Sequence, residues 1–160
     1  MASTLGLLRR LTEANVEFVL VGGMAAIAHG SGTVTEDVDV CIRFDEQTLS
    51  KVLVALRGTN PRERMNAARP ALSDDATKYV GYRNLYVTTD EGVIDFLGEV
   101  IAVGGLEELQ RSAVTLGLGT FQCRVIGLRS LIECKRALAR PKDLRVVTEL
   151  EGVLARLTGR

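Results

Sequence analysis

Aromatic side chains make up only 4% of the 160 residues, too few for a surface that holds single strands chiefly by stacking bases on rings. Net charge is missing as well, because 20 Lys and Arg balance 20 Asp and Glu; this excludes a protein that coats nucleic acid by charge alone. The three cysteines, Cys41, Cys123 and Cys134, form an odd set without CxxC or Cys/His ligand spacing. Neither a disulfide framework nor a zinc site is indicated, and they read as small buried hydrophobes. The single histidine, His29, ends a helical segment and reads as a capping or packing residue rather than a base. No stretch approaches the roughly 20 apolar residues that span a bilayer. The opening MASTLGLLRRLTEANVEF lacks a long apolar run and a small-residue cleavage site. The expectation is a soluble, cytoplasmic protein with no membrane partner. Internal repeats and low-complexity segments are also lacking.

What is present is a 46% hydrophobic chain, long enough for one compact domain over residues 1–160. Its charge is segregated: residues 1–123 carry 11 basic and 16 acidic groups, whereas residues 124–160 carry 9 basic and 4 acidic ones. If the two parts face each other across a cleft, carboxylates would oppose cations suited to a polyphosphate; a chance fluctuation of helix-surface charge explains the numbers equally well.

Residues 4–14 pattern as a helix with Thr4 as cap and Leu7, Leu8 and Leu11 on one stripe. Glu17–Val21 is a short apolar strand stopped by Gly22 and Gly23, and MAAIAHG is helical with Gly30 as its stop. In DVDVCI, residues 37–42, alternation puts Val38, Val40 and Ile42 on one face and Asp37, Asp39 and Cys41 on the other. Asp45 is placed to cap a helix over 46–57 with Leu49, Val52, Leu53 and Leu56 along one side. Residues 58–76 hold two of the three prolines and no period, and read as a loop with at most one short helix. LYVTTDEGVIDFLG reads as a hairpin with a turn at Asp90-Glu91-Gly92, in which Asp95 points away from Ile94 and Phe96. A short helix at 106–111, a strand FQCRVIG, a helix LRSLIECKRALA ending before Pro141, and a last helix from about Lys142 to Leu157 complete the chain.

Three carboxylates set within strands, Asp37, Asp39 and Asp95, are costly unless a cation offsets them. Their spacing suits oxygen ligation of a hard ion such as Mg²⁺, with Mn²⁺ as an alternative, in a two-metal site for phosphoryl or nucleotidyl transfer. Gly22 and Gly23 precede a helix N-terminus, where amide N–H groups attract phosphate. The competing reading of DVD alone is a solvated edge strand. Lys135 falls on the same helix side as Leu128, Leu131 and Ile132, so it needs an anion or must snorkel; the expectation is that it points into a cleft opposite the aspartates. Arg140 and Lys142 flank Pro141, where solvated charge is the default, and Asp143 sits where it would complement a helix dipole.

The glycine pair at a strand-to-helix turn, Asp-x-Asp on the next strand and a later single Asp resemble the nucleotidyltransferase superfamily that includes DNA polymerase beta. The string VLVGGMAAIAHGSGTVTEDVDV, with IGLRSLIECKRALARPKDL late in the chain, is similar to its abortive-infection (AbiEii-type) branch, toxins of type IV toxin–antitoxin systems. The resemblance covers residues 16–45, 91–99 and 126–150. It implies an α/β (α+β) nucleotidyltransferase fold, with a small mixed sheet flanked by helices. It also implies a nucleoside triphosphate substrate, a metal site at Asp37, Asp39 and Asp95, and nucleotide contacts from Gly22, Gly23, Lys135, Arg140, Lys142 and Asp143. The acceptor it suggests is RNA, such as a tRNA end, or a protein hydroxyl, and the partner an antitoxin. A small molecule of the aminoglycoside kind, or a catalytically silent binding module of the same fold, are the alternatives. Where the family has Ser after the glycine pair this chain has Met24, and SGTVTE stands where the toxin branch has an Arg. Ser31, Thr33 and Thr35 are the hydroxyls that could replace the serine; Ser31 is taken as the nucleotide contact.

Overall fold

A computed structural model describes residues 4–159. Helix α1 (Thr4–Glu13) buries Leu7, Leu8 and Leu11, the stripe its sequence carries. Thr4 lies inside this helix rather than capping it. Strand β1 (Val19–Val21) runs straight into the two-turn helix α2 (Gly22–Ala28), which closes on His29 and the positive-φ Gly30. After an extended segment come β2 (Val38–Cys41) and α3 (Glu46–Ala55), whose cap is Asp45, accepting from the Thr48 amide at 2.7 Å.

Residues 58–76, expected as a loop, contain the two-residue strand β3 (Arg62–Glu63); a 3₁₀ turn follows at Ala76–Tyr79. The hairpin is made by β4 (Asn84–Thr89) and β5 (Gly92–Leu97). Then follow the two-residue β6 (Glu99–Val100) and β7 (Gly104–Gly105), α4 (Leu106–Gln110), β8 (Val114–Leu118), β9 (Phe121–Val125), α5 (Leu128–Leu138) and α6 (Pro141–Leu157). α5 stops at Ala139, which adopts the left-handed conformation, and Pro141 opens α6 at a position where its missing N–H costs nothing.

Seven strands form one mixed sheet in the order β3-β4-β5-β2-β1-β9-β8, and β6-β7 form a separate ribbon. β2 pairs parallel with β5 and antiparallel with β1; β1 pairs parallel with β9. The fold is α+β, with six α-helices among the described residues. The apolar core draws on every part of the chain, from Leu7 and Leu20 through Val40, Ile94 and Phe96 to Ile126, Leu131 and Leu150. α1 packs on α3 and β5, α2 on β1 and β2, and α5 on α6 and α2. Among the described residues no helix is long and apolar enough to cross a membrane.

Candidate active site

Pairing β2 parallel to β5 sets Asp39 directly opposite Asp95. Residues opposite each other on adjacent strands project to the same face. Val38, Val40, Ile94 and Phe96 take the other face and are fully buried, so the alternation read in the sequence drives the aspartates together. Asp37, just ahead of β2, joins them along a cleft of about 280 Å³, at the small end of ligand sites.

The cleft's facing wall comes from the junction of α5 and α6, which brings Lys135, Arg140, Lys142 and Asp143 to it. Lys135 lines the cleft as expected of its helix side, yet it is only 7% exposed and already has an anion within the chain. Its Nζ lies 3.3 Å from Asp143 Oδ1. Asp143 is 1% exposed and also accepts from Arg140, 3.2 Å from Nη2 to Oδ1. Burial pushes the Asp143 carboxyl up, but the bonds and charges of Arg140 and Lys135 outweigh it and hold the group below the usual carboxylate range. Asp143 therefore does more than complement the α6 dipole: it ties the two cations together. Arg140, for which solvated charge was the default, stays half exposed while it grips the buried Asp143.

The glycine pair acts on the cleft wall. Gly22 has φ +71°, and a methyl there would stand 3.0 Å from Cβ and Cγ of Asp39; one on Gly23 would lie 3.1 Å from Thr35 Cγ2. Only glycine lets Asp39 and Thr35 come this close to the β1–α2 turn. Gly23 lines the cleft, whereas Gly22 stands behind Asp39. Ser31, taken from the sequence as the nucleotide contact, is not among the residues lining the cleft. Its hydroxyl donates to Glu149 on α6 at 3.2 Å, while Thr33 and Thr35 line the cleft in its place. The Gly32 amide donates to the same Glu149 oxygen at 2.7 Å, pinning this loop to α6. His29 packs as expected: its Nε2 lies 2.7 Å from the Ile126 carbonyl, which can only accept, so the proton is on Nε2. The cysteines are buried, and burial pushes the Cys41 thiol up to about 12 and that of Cys123 up to about 11; none is poised as a nucleophile.

One residue bonded to a cleft carboxylate escaped the sequence reading. Arg64, just past β3, sends Nη2 to Asp95 Oδ2 at 2.6 Å and lies over the Tyr86 ring at 5.4 Å. It was hidden because residues 58–76 have no period; only the pairing of β3 with β4 brings it to the sheet.

The electrostatics are those of incompletely compensated negative charge. Asp39 is pushed up to about 6 by burial, then by the charges of Asp95 and Asp37, against partial relief from Lys135 and Arg64. Asp95 Oδ1 is buried and has no hydrogen-bond partner among the described residues. Among those residues no group of three or more His, Cys, Asp or Glu side chains closes around an ion position. The donor set nevertheless fits a hard divalent cation in type and charge, with an orphaned carboxylate oxygen on Asp95 and a neighbour, Asp39, whose ionised form burial disfavours. A second groove of about 440 Å³ lies past the carboxyl ends of β2 and β5, beside Phe44, Tyr82 and Leu106, away from all these groups. Scanned against protein-family models and against curated proteins, the chain matches none.

Proposed function

We propose that the cleft transfers a nucleoside monophosphate from a nucleoside triphosphate to an acceptor hydroxyl, as in the nucleotidyltransferases the sequence resembles. One observation carries this reading: strand-borne carboxylates on β2 and β5 confront the cations of α5 and α6 across one small polar cleft. Such a pairing of anionic and cationic walls matches a polyphosphate with its accompanying cation. Asp37, Asp39 and Asp95 would hold the divalent ion, Mg²⁺ or Mn²⁺, which when bound polarises the phosphoryl oxygens and neutralises their charge. Lys142 and Arg140 attract the polyphosphate, and Lys135, fixed by Asp143, presents its ammonium from within the wall. Asp95 Oδ1 takes the proton of the acceptor hydroxyl. The acceptor oxygen forms its bond to the α-phosphorus as the bond to the β-phosphate oxygen breaks, and pyrophosphate leaves. RNA, a tRNA end or a protein hydroxyl are the acceptors in keeping with the toxin-branch resemblance, with an antitoxin as partner and the cytoplasm as the setting.

The test is incubation of the protein with each labelled nucleoside triphosphate, Mg²⁺ or Mn²⁺, and total RNA or lysate. Label should pass to one class of acceptor with wild type and not with Asp39→Asn. No label with any triphosphate and either ion would refute it. A second reading, a silent binding module of the same fold, is favoured by one observation: Asp95 and Lys135 are each paired within the chain. It predicts nucleotide binding without transfer, or neither.

A further inference from the structure

The row of residues crossing the sheet at the cleft is continuous. Asp39 on β2 stands opposite Asp95 on β5, and Asp95 opposite Tyr86 on β4. Beyond β4, the Arg64 amide donates to the Tyr86 carbonyl at 2.9 Å, so Arg64 extends the row by one place. Its backbone is thereby fixed to the sheet, while its side chain reaches back over the Tyr86 ring to Asp95. Two buried polar atoms without partners lie in this pair: Arg64 Nε, a donor, and Asp95 Oδ1, an acceptor. A guanidinium and a carboxylate frequently meet in a fork of two parallel bonds. Here one contact is made, and Oδ1 of Asp95, which lines the cleft, has no partner among the described residues.

We infer that Arg64 is a built-in counter-ion of Asp95, so that divalent-ion binding at the cleft and the Arg64–Asp95 pair weaken each other. The inference deepens the nucleotidyl-transfer reading, on which it rests for the ion's role. Three carboxylates in one cleft repel one another when no cation is present. Arg64 relieves that repulsion with a charge the chain already carries. It holds Asp95 by one bond from a side chain about a quarter exposed, so the pair can be weakened without breaking a fork of two bonds. Its positive charge also disfavours a second cation at the same carboxylate. The two are therefore negatively coupled, and the coupling is reciprocal: whatever Arg64 takes from ion affinity, the ion takes from the Arg64 pair.

The experiment titrates the nucleotide-free full chain with Mn²⁺, followed by electron paramagnetic resonance. Wild type is compared with Arg64→Gln and Arg64→Lys. Arg64→Gln should bind Mn²⁺ about tenfold more tightly, within the usual range of coupling between two sites, and Arg64→Lys, which keeps the charge, should stay near wild type. Without ion, Arg64→Gln should melt lower than wild type and recover when Mn²⁺ is added. A purely structural arginine would lower the melting point without raising affinity. Should Arg64→Gln fail to fold, the wild-type Arg64 Nε–Hε resonance gives a second readout, assigned by its loss in Arg64→Lys: saturating Mg²⁺ should shift it and speed its exchange with water. Equal or weaker Mn²⁺ binding by Arg64→Gln, or a resonance unmoved at saturation, would overturn the inference and leave nucleotidyl transfer standing. Tighter binding by Arg64→Gln in a protein that transfers no nucleotide would uphold it and remove the enzymatic reading. No Mn²⁺ binding by any variant would remove both.

Discussion

Asp39 has a carboxyl that folding makes harder to ionise, and the sign of its effect on stability follows. Its value rises from 3.8 to about 6 on folding, so between those limits the folded state binds the proton more tightly than the unfolded one. Stability is therefore highest in acid with respect to this group, falls as pH rises from about 4 to about 6, and stays reduced above that. The full penalty is up to about 3 kcal/mol for a shift of this size. Asp39→Asn removes the charge at nearly constant shape. In the ion-free protein it should raise the melting temperature at pH 8, with the gain vanishing by pH 4, while abolishing the proposed nucleotide transfer. Thermal melts of both proteins across that range check the first part. A variant less stable than wild type at pH 8 would mean that Asp39 is already compensated within the chain.

α6 serves the cleft at several points along its length. Asp143, Val146, Val147 and Leu150 follow one buried stripe, and its first member is a carboxylate only because Lys135 and Arg140 meet it there. Two turns on, Glu149 accepts from Ser31 and from the Gly32 amide, so α6 holds the loop whose Thr33 and Thr35 line the cleft. A hydrogen bond to a charged acceptor contributes about 1.5–3 kcal/mol. Glu149→Ala should therefore speed amide exchange at Gly32 by roughly tenfold or more, leaving the buried amides of α6 unchanged. Hydrogen exchange followed by NMR makes the comparison; an unchanged Gly32 rate would show the loop to be held by other contacts.

Across the whole molecule, folding lays the acidic β2 and β5 against the basic α5–α6 junction, so the charge imbalance along the chain becomes a potential across one cleft. Lys135 belongs to that potential and to the fold at once. Lys135→Met keeps the packing volume but leaves Asp143 with Arg140 as its only cation among the described residues. It should both weaken nucleotide binding in the presence of Mg²⁺ and lower the melting temperature, since stripping one partner from a buried carboxylate is costly. The binding loss should shrink as salt screens the attraction. Calorimetry at low and high salt, alongside melts, separates the two effects; unchanged affinity with a lower melting point would make Lys135 structural only.

By itself the sequence determined the elements whose pattern repeats over several turns or alternations. The stripe Leu7-Leu8-Leu11, the Asp45 cap, the alternation in DVDVCI and in the hairpin, and the stripe of α6 are local, so they are legible from neighbours in the chain. The face shared by Asp37 and Asp39 follows from alternation alone. That Asp95 joins them was decided by the parallel register of β2 and β5, a pairing between residues 56 positions apart. β3 and β8 were unreadable for the same reason. β3 has two residues and exists because β4 offers its edge; β8, interrupted by Gly117, takes its form from β9. Arg64 at Asp95, Asp143 beneath Lys135 and Ser31 on Glu149 are side-chain partnerships made at long range. Each satisfies a buried charge or hydroxyl whose burial no local pattern announces, and only the packed structure could choose its partner.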